Sequence, residues 1–369
     1  SLDFSLKKAL PSDLSKSDGR AFLSVKSREA SSQPKESRMD IKNSDISHLG
    51  FYGAEAYGLS WKVIGAVPGI YERVGVYGDV TNSKIHDNFF GIYTFGGESM
   101  TFVGNEIYNN DWYGLDPHDD SDRLLIDSNL VYGNGRHGII CSKRCNDVSI
   151  LNNDSSNNGG AGIMIHRQVS ESLVFKNKTD NNADSGIAIF DSHDNFISSN
   201  TADGNKRGIR MSVGSSGNIL ENNYISNSAD SGFFCYKGSD LPSSGDGRIK
   251  QNHLVNNSFL LSGIYGMKIK EADSNLFENN IISGAEKEGI YLLNSNTNRF
   301  YGNKVADILK DGINLTNSDL NSFYGNSVSN VGRYPICLYN SSGNIFINNF
   351  LQGNLENFLE SSGQNFLIN

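Results

Sequence analysis

Apolar residues recur along this chain at two spacings at once. Within short strings such as FGIYTF, HGIICS, AGIMIH, SGIAIF and EGIYLL they alternate with free positions, which is the period of a strand. Between strings the pattern returns about every 23 residues. Its glycines are Gly91, Gly114, Gly138, Gly162, Gly186, Gly208, Gly232, Gly266, Gly289 and Gly312, separated by 23, 24, 24, 24, 22, 24, 34, 23 and 23 residues. YPICLY, with Pro335 in place of the glycine, continues the register one step further. The first and third residues after each Gly are mostly apolar, as at Ile139 and Cys141, Ile163 and Ile165, Ile187 and Ile189, or Ile290 and Leu292, and are predicted to point inward. The second and fourth vary freely and are predicted to point outward; they include Asp116, His118, Ser142, His166, Phe190, Arg210, Tyr236, Lys268 and Lys270. A βαβ unit takes about 30 residues or more, so this step is too short for one. The pattern predicts an all-β chain, a right-handed parallel β-helix whose rungs stack at about 4.8 Å.

A second ladder keeps step with the first through Asn82, Asn105, Asn129, Asn153, Asn177, Asn200, Asn222, Asn252, Asn280, Asn303, Asn326 and Asn349. Stacked Asn side chains that bond one another and the turn backbone account for it. The 34-residue gap holds KGSDLPSSGDGR, residues 237–248, which reads as a loop inserted between rungs at the border of a binding face. Residues 1–40 are Ser-rich and charged, with SREASSQPKES as an exposed excursion, and read as an irregular segment with the first rung. Residues 41–369 form the solenoid domain in this reading.

Composition narrows the function. The 369 residues carry a net charge of −9, which argues against general nucleic-acid binding. An acidic substrate would need the few cations gathered in one groove. No apolar run approaches the roughly 18 residues of a membrane span, and the chain opens SLDFSLKKAL without a signal-like core. Of the four cysteines, Cys141 and Cys235 share a column but lie too many rungs apart to bridge, and Cys141 with Cys145 is an unpromising pair.

Equivalent positions of adjacent rungs lie one strand spacing apart, so the repeat becomes a map of neighbours. Phe95, His118, Ser142 and His166 share one column; Asp119, Lys143, Arg167 and, further on, Lys237 share the next; Tyr113 sits beside His137. Tyr113, Asp116, His118, His137, Lys143, Arg144, His166 and Arg167 are thus expected on one patch across three rungs. Pro117 takes an inward position there and removes a ladder N–H, a disturbance typical of functional sites. The acids of YGLDPHDDSD admit two other readings, as turn residues or as a calcium site, although they match no EF-hand spacing.

HLGFYGAEAYGLSW, FFGIYTF, YGLDPHD, RHGIICSKRCND, AGIMIHRQVSESLVFKN and SGIAIFDSHDN, in this order over roughly residues 20–240, resemble the mannuronan C5-epimerases of alginate biosynthesis. The resemblance implies a right-handed β-helix, polymannuronate as substrate, and inversion at C5 to α-L-guluronate within the polymer. It implies His118 as a proton-transfer group with Asp116 and Tyr113 beside it. Where the periplasmic enzymes carry an Arg that neutralises the substrate carboxylate, this chain has Lys143 followed by Arg144. Lys84 is a loose match to a Lys upstream of the motif in the secreted type. That type's carboxy-terminal calcium repeats are absent, so no cofactor is expected and calcium is not required. The family also implies an exported protein, expected here as a monomer; Asn177-Lys-Thr and Asn314-Leu-Thr are sequons compatible with export.

The chemistry explains the cluster on its own terms. Taking a proton from the carbon beside a carboxylate puts a second negative charge on that group, and a cation must neutralise it. Lys143, Arg144 and Arg167 are positioned for this. Inversion also needs a base on one face of the ring and an acid on the other, for which Tyr113 and His118 serve, with His137 expected to depress the Tyr113 pKa or replace it. Asp116 is expected to orient a ring nitrogen or a sugar hydroxyl. Arg144, His166, Arg167, Asp119, Arg210, Tyr236, Lys237 and Lys268 are expected along the polymer. A polyuronate lyase, which expels the C4 oxygen from the same anion, and a noncatalytic carbohydrate-binding solenoid are the competing readings.

Overall fold

The computed structural model describes residues 19–53, 56–65, 67–356, 358–360 and 364–368; the opening SLDFSLKKAL lies outside them. Each rung contributes strands to three faces. One face is a 15-stranded sheet, the second a 14-stranded sheet, and the third is split into 5-stranded and 7-stranded parts. Neighbouring strands come from consecutive rungs and pair in parallel, with one exception. SREASSQPKES is not a free excursion: Leu23–Ala30 and Gln33–Lys35 form an antiparallel hairpin, and its first strand joins the long sheet beside Gly58–Ile64.

The long sheet follows the glycine register. Leu115, Ile139, Ile163, Ile187, Ile209 and Phe233 pair in sequence and are buried in the core. The glycines mark a close approach of rungs: a Cβ at Gly114 would meet the Gly138 carbonyl oxygen at 2.6 Å, and one at Gly138 would meet Ser155 Oγ at 2.1 Å. On the 14-stranded face, Phe277, Phe300, Phe323 and Phe346 stack with centroids 4.6, 4.5 and 4.6 Å apart. All four cysteines are free thiols, three of them buried.

The Asn ladder is structural, with its membership corrected. Asn129 gives both its backbone N–H and its side-chain Nδ2 to Asn153 Oδ1 at 2.9 Å, and Nδ2 also reaches the Phe102 carbonyl at 2.9 Å. This chain continues through Asn177, Asn200, Asn223 and Asn257 to Asn280. Asn222 lies one residue off it, and Asn252 belongs to a separate ladder with Asn218 and Asn275. Asn82 is outside as well, because Ser83 occupies that position against Asn105. For Asn222-Asn223, sequence spacing alone does not say which amide is inside.

Candidate active site

The strand Leu115–His118 carries the motif, with Pro117 buried as its spacing predicts. The ladder to Ile139–Ser142 registers only Leu115 with Ile139 and His118 with Ser142, because Pro117 has no N–H to give the centre of that pairing. At the end of this strand and the next two, the chain turns through two consecutive left-handed residues: Asp119 and Asp120, Lys143 and Arg144, Arg167 and Gln168. Left-handed non-glycine residues are disfavoured, and doubling them on three adjacent rungs marks a built corner. Asp119, Lys143, Arg144, Arg167, Gln168 and Asp191 line a cavity of about 390 Å³ at this corner. The insertion closes its far side with Leu241, Pro242 and Ser243. Ser243 is anchored on Asp191 through its N–H at 2.9 Å and its hydroxyl at 2.7 Å.

Asp119 is the hub. Its carboxylate abuts His118 Nδ1, accepts from Arg144 Nη2 at 2.9 Å and lies 3.7 Å from Lys143 Nζ. Burial works to raise its pKa, but His118, Lys143 and Arg144 outweigh it and hold the group below the usual carboxylate range. The His118 ring lies over Phe95, centroids 6.3 Å apart, and near Tyr93 at 5.7 Å. Arg144 is committed to structure, since it also clamps Asp120 at 2.9 and 2.8 Å. Lys143 and Arg167 keep about two fifths of their side-chain surface exposed, at 44% and 43%. Arg167 nonetheless meets Asp240 of the insertion at 3.3 Å.

Tyr113 stacks on His137 as the column map requires, with centroids 5.4 Å apart and planes at 9°. The expectation that His137 lowers the Tyr113 pKa is overturned. The Ala161 N–H donates to His137 Nδ1 at 2.8 Å, so that nitrogen bears no proton and Nε2 carries it. Burial, with Arg210 adding to it, pushes the His137 pKa down to about 4, so the ring is neutral. Burial and Asp116 raise the Tyr113 pKa, and the opposing group is Arg136, by charge and hydrogen bond. Arg136 is held over the Trp112 ring at 4.1 Å.

Asp116 points away from the core yet is 1% exposed, contrary to its expected place on the surface. Its neighbours on the preceding rungs, Tyr93 and Tyr57, wall it in, and its Oδ1 has no hydrogen-bond partner. Burial pushes its pKa up to about 7. A buried carboxyl with an unpartnered oxygen and a raised pKa is the kind of perturbed group that concentrates at functional sites.

The other sequence candidates separate by position. His166 is engaged at both nitrogens, with Ser142 Oγ at 2.9 Å and Arg167 Nε at 3.4 Å, and burial holds its pKa at about 3. Arg210 meets Asp184 at 3.3 Å and the Tyr236 hydroxyl at 3.3 Å. Lys237 is exposed where the insertion begins, and Lys268 lies one rung beyond Phe234. Lys84 is elsewhere, on the third face, paired with Glu106 at 3.3 Å. Sequence reasoning missed Arg136 and the aromatic wall of Tyr57, Phe90, Tyr93 and Trp112. The column map held the signal for Tyr93, which pairs in register with Asp116. Among the described residues no three His, Cys, Asp or Glu side chains gather as a metal-ligand set.

The family model of the right-handed β-helix region matches residues 32–172 and again 119–265, and the chain belongs to that family. Within it the similarity is to alginate epimerases: the mannuronan C5-epimerase of Pseudomonas aeruginosa is 36% identical over 110 residues, which is 29% of this chain and 20% of that one. The mannuronan C5-epimerase AlgG of Azotobacter vinelandii is 34% identical over 110 residues, 29% of this chain and 21% of that one. The match thus spans about a fifth of either relative's length. A model of the periplasmic copper-binding protein NosD matches residues 241–367. The crystal structure of the periplasmic alginate epimerase AlgG aligns at 18% identity with a TM-score of 0.43, over 88% of this chain and 60% of that chain.

Proposed function

We propose that this chain is a polymer-level mannuronan C5-epimerase, acting outside the cytosol as a single chain and without a cofactor. The observation that carries the proposal is that His118, Tyr113, Asp116 and Lys143 share one face of two adjacent rungs, with Asp116 in electrostatic reach of the other three.

His118 takes the C5 proton of a β-D-mannuronate unit, its Nδ1 side held by Asp119 so that Nε2 faces the substrate. The electron pair left at C5 is delocalised into the adjacent carboxylate, where Lys143 neutralises the second charge. Tyr113 returns a proton to the opposite face of C5, and Arg136 stabilises the phenolate that results. The product is α-L-guluronate within an unbroken chain. Asp116, enclosed behind the aromatic wall, acts through the field it sets beside Tyr113 and His118, and neutral His137 donates Nε2–H to the sugar.

Incubation with polymannuronate followed by proton NMR tests the reading. New guluronate signals are expected. Unsaturated chain ends with their ultraviolet absorption would instead identify a lyase, and an unchanged polymer that still binds would identify a carbohydrate-binding solenoid.

A further inference from the structure

The column that carries Asp116 runs on through Ile140, Met164, Ala188, Arg210 and Phe234 to Lys268 and Tyr291, each pair in parallel register after the break at Pro117. Its composition changes along the way. Ile140, Met164 and Ala188 are buried and make an apolar floor. Beyond Arg210 the surface becomes aromatic and cationic. Lys268 Nζ sits 5.2 Å from the Phe234 ring and 4.7 Å from the Tyr265 ring, and Lys287 Nζ sits 5.9 Å from the same Tyr265. Tyr265 stacks on Tyr291 at 5.4 Å, which fixes its plane.

Two features separate this patch from ordinary packing. Neither Lys268 nor Lys287 is ion-paired with a described residue, in a chain of net charge −9 whose other groove cations mostly are. The patch also lies on the face of the motif strand, six strand steps from Asp116, or about 29 Å. Half-buried aromatic rings offer apolar surface to a sugar, and free ammonium groups offer charge to its carboxylate. Glu288 stands on the rung of Tyr291, beside Lys287 and one step from Tyr265, so the patch holds one carboxylate with its two ammonium groups; one rung further Asp311 is buried against Arg333.

We propose that Tyr265, Lys268 and Lys287 form a distal docking site for the same acidic polysaccharide, holding long chains while a unit reacts at the motif strand. This rests on the polyuronate reading of the active site. The site adds avidity for long substrates and does not touch the reacting unit.

Calorimetric titration of the full chain with a mannuronate tetramer and a dodecamer tests it. The tetramer cannot reach from the motif strand to Lys268, and the dodecamer can. Replacing both lysines (Lys268→Met with Lys287→Met) is expected to weaken dodecamer binding by about tenfold and leave tetramer binding unchanged, the signature of a lost second contact. The Lys268→Arg, Lys287→Arg pair is expected to restore most of the loss, which separates lost charge from a damaged fold. Equal loss for both oligomers, or no loss for either, overturns the distal site alone. A wild-type chain that binds neither oligomer overturns the polyuronate reading and the distal site with it.

Discussion

Tyr113 and His137 stack face to face across adjacent rungs, their planes 9° from parallel, while the Ala161 N–H fixes the proton of His137 on Nε2. Two groups placed together by the repeat are therefore not a charge pair. His137 carries no charge to stabilise a phenolate, and it has no free lone pair to take the phenol's proton, since Nδ1 accepts the Ala161 N–H and Nε2 bears the hydrogen; the cation that acts on Tyr113 is Arg136, parked on Trp112.

Arg136→Met should then lower kcat, because it removes stabilisation that develops only as Tyr113 loses its proton. His137→Phe keeps the stack but deletes the Nε2–H donor and the Nδ1 acceptor of the Ala161 N–H, so it should cost some stability, raise KM and spare kcat. Tyr113→Phe should preserve binding and abolish transfer. Steady-state kinetics with deuterium incorporation at C5 separates these effects; a kcat defect confined to His137→Phe would reverse the assignment.

Asp116 gives a pH signature. Its folded pKa of about 7 stands above the ordinary 3.8. The folded state therefore binds the proton that the unfolded state releases, and stability is lost as pH rises between those values and not regained above them. Three units correspond to about 4 kcal/mol at most. Asp116→Asn should be more stable than wild type at pH 8 and should lack this part of the slope. Denaturant unfolding at several pH values reads it directly, and identical slopes would mean that Asp116 is ionised throughout.

The repeat made the fold and the shared face of Tyr113, His118, Lys143 and Arg167 legible, because stacking at one strand spacing turns sequence register into geometry. Burial and hydrogen-bond direction were not legible. Asp116 alternates outward like His118, yet Tyr57 and Tyr93 from earlier rungs cover it. Arg144 and Lys143 are adjacent cations, and only the structure shows Arg144 closing on both Asp119 and Asp120 at hydrogen-bond distance while Lys143 meets Asp119 alone, at 3.7 Å. Asn222 failed for a related reason: it and Asn223 both fit the spacing, and the core selects Asn223.

That difference between Lys143 and Arg144 is itself measurable. Lys143→Met should lower kcat more than it weakens polymer binding, since neutralisation matters most as charge builds on the carboxylate. Arg144→Met should act mainly on stability, by leaving Asp120 without its clamp and Asp119 with only His118 and Lys143, with a cost of about 1–3 kcal/mol. Thermal melting and kinetics on the same two variants decide; a larger kcat defect in Arg144→Met would make Arg144 the neutralising group.

The contact between His118 and Asp119 sets the strongest expectation. His118→Gln should reduce turnover by roughly 10² to 10⁴, the range of a general acid or base, with the fold intact because the ring lies outside the core. Asp119 holds His118 and tethers Lys143 and Arg144, so Asp119→Asn should also be slow, though it removes no group that touches the polymer. If Asp119 works through His118, its loss in the His118→Gln background should change kcat far less than in wild type, and the two defects should not add. Additive defects would mean that Asp119 meets the substrate independently, as its place on the column map suggested, and that His118 keeps its orientation without it.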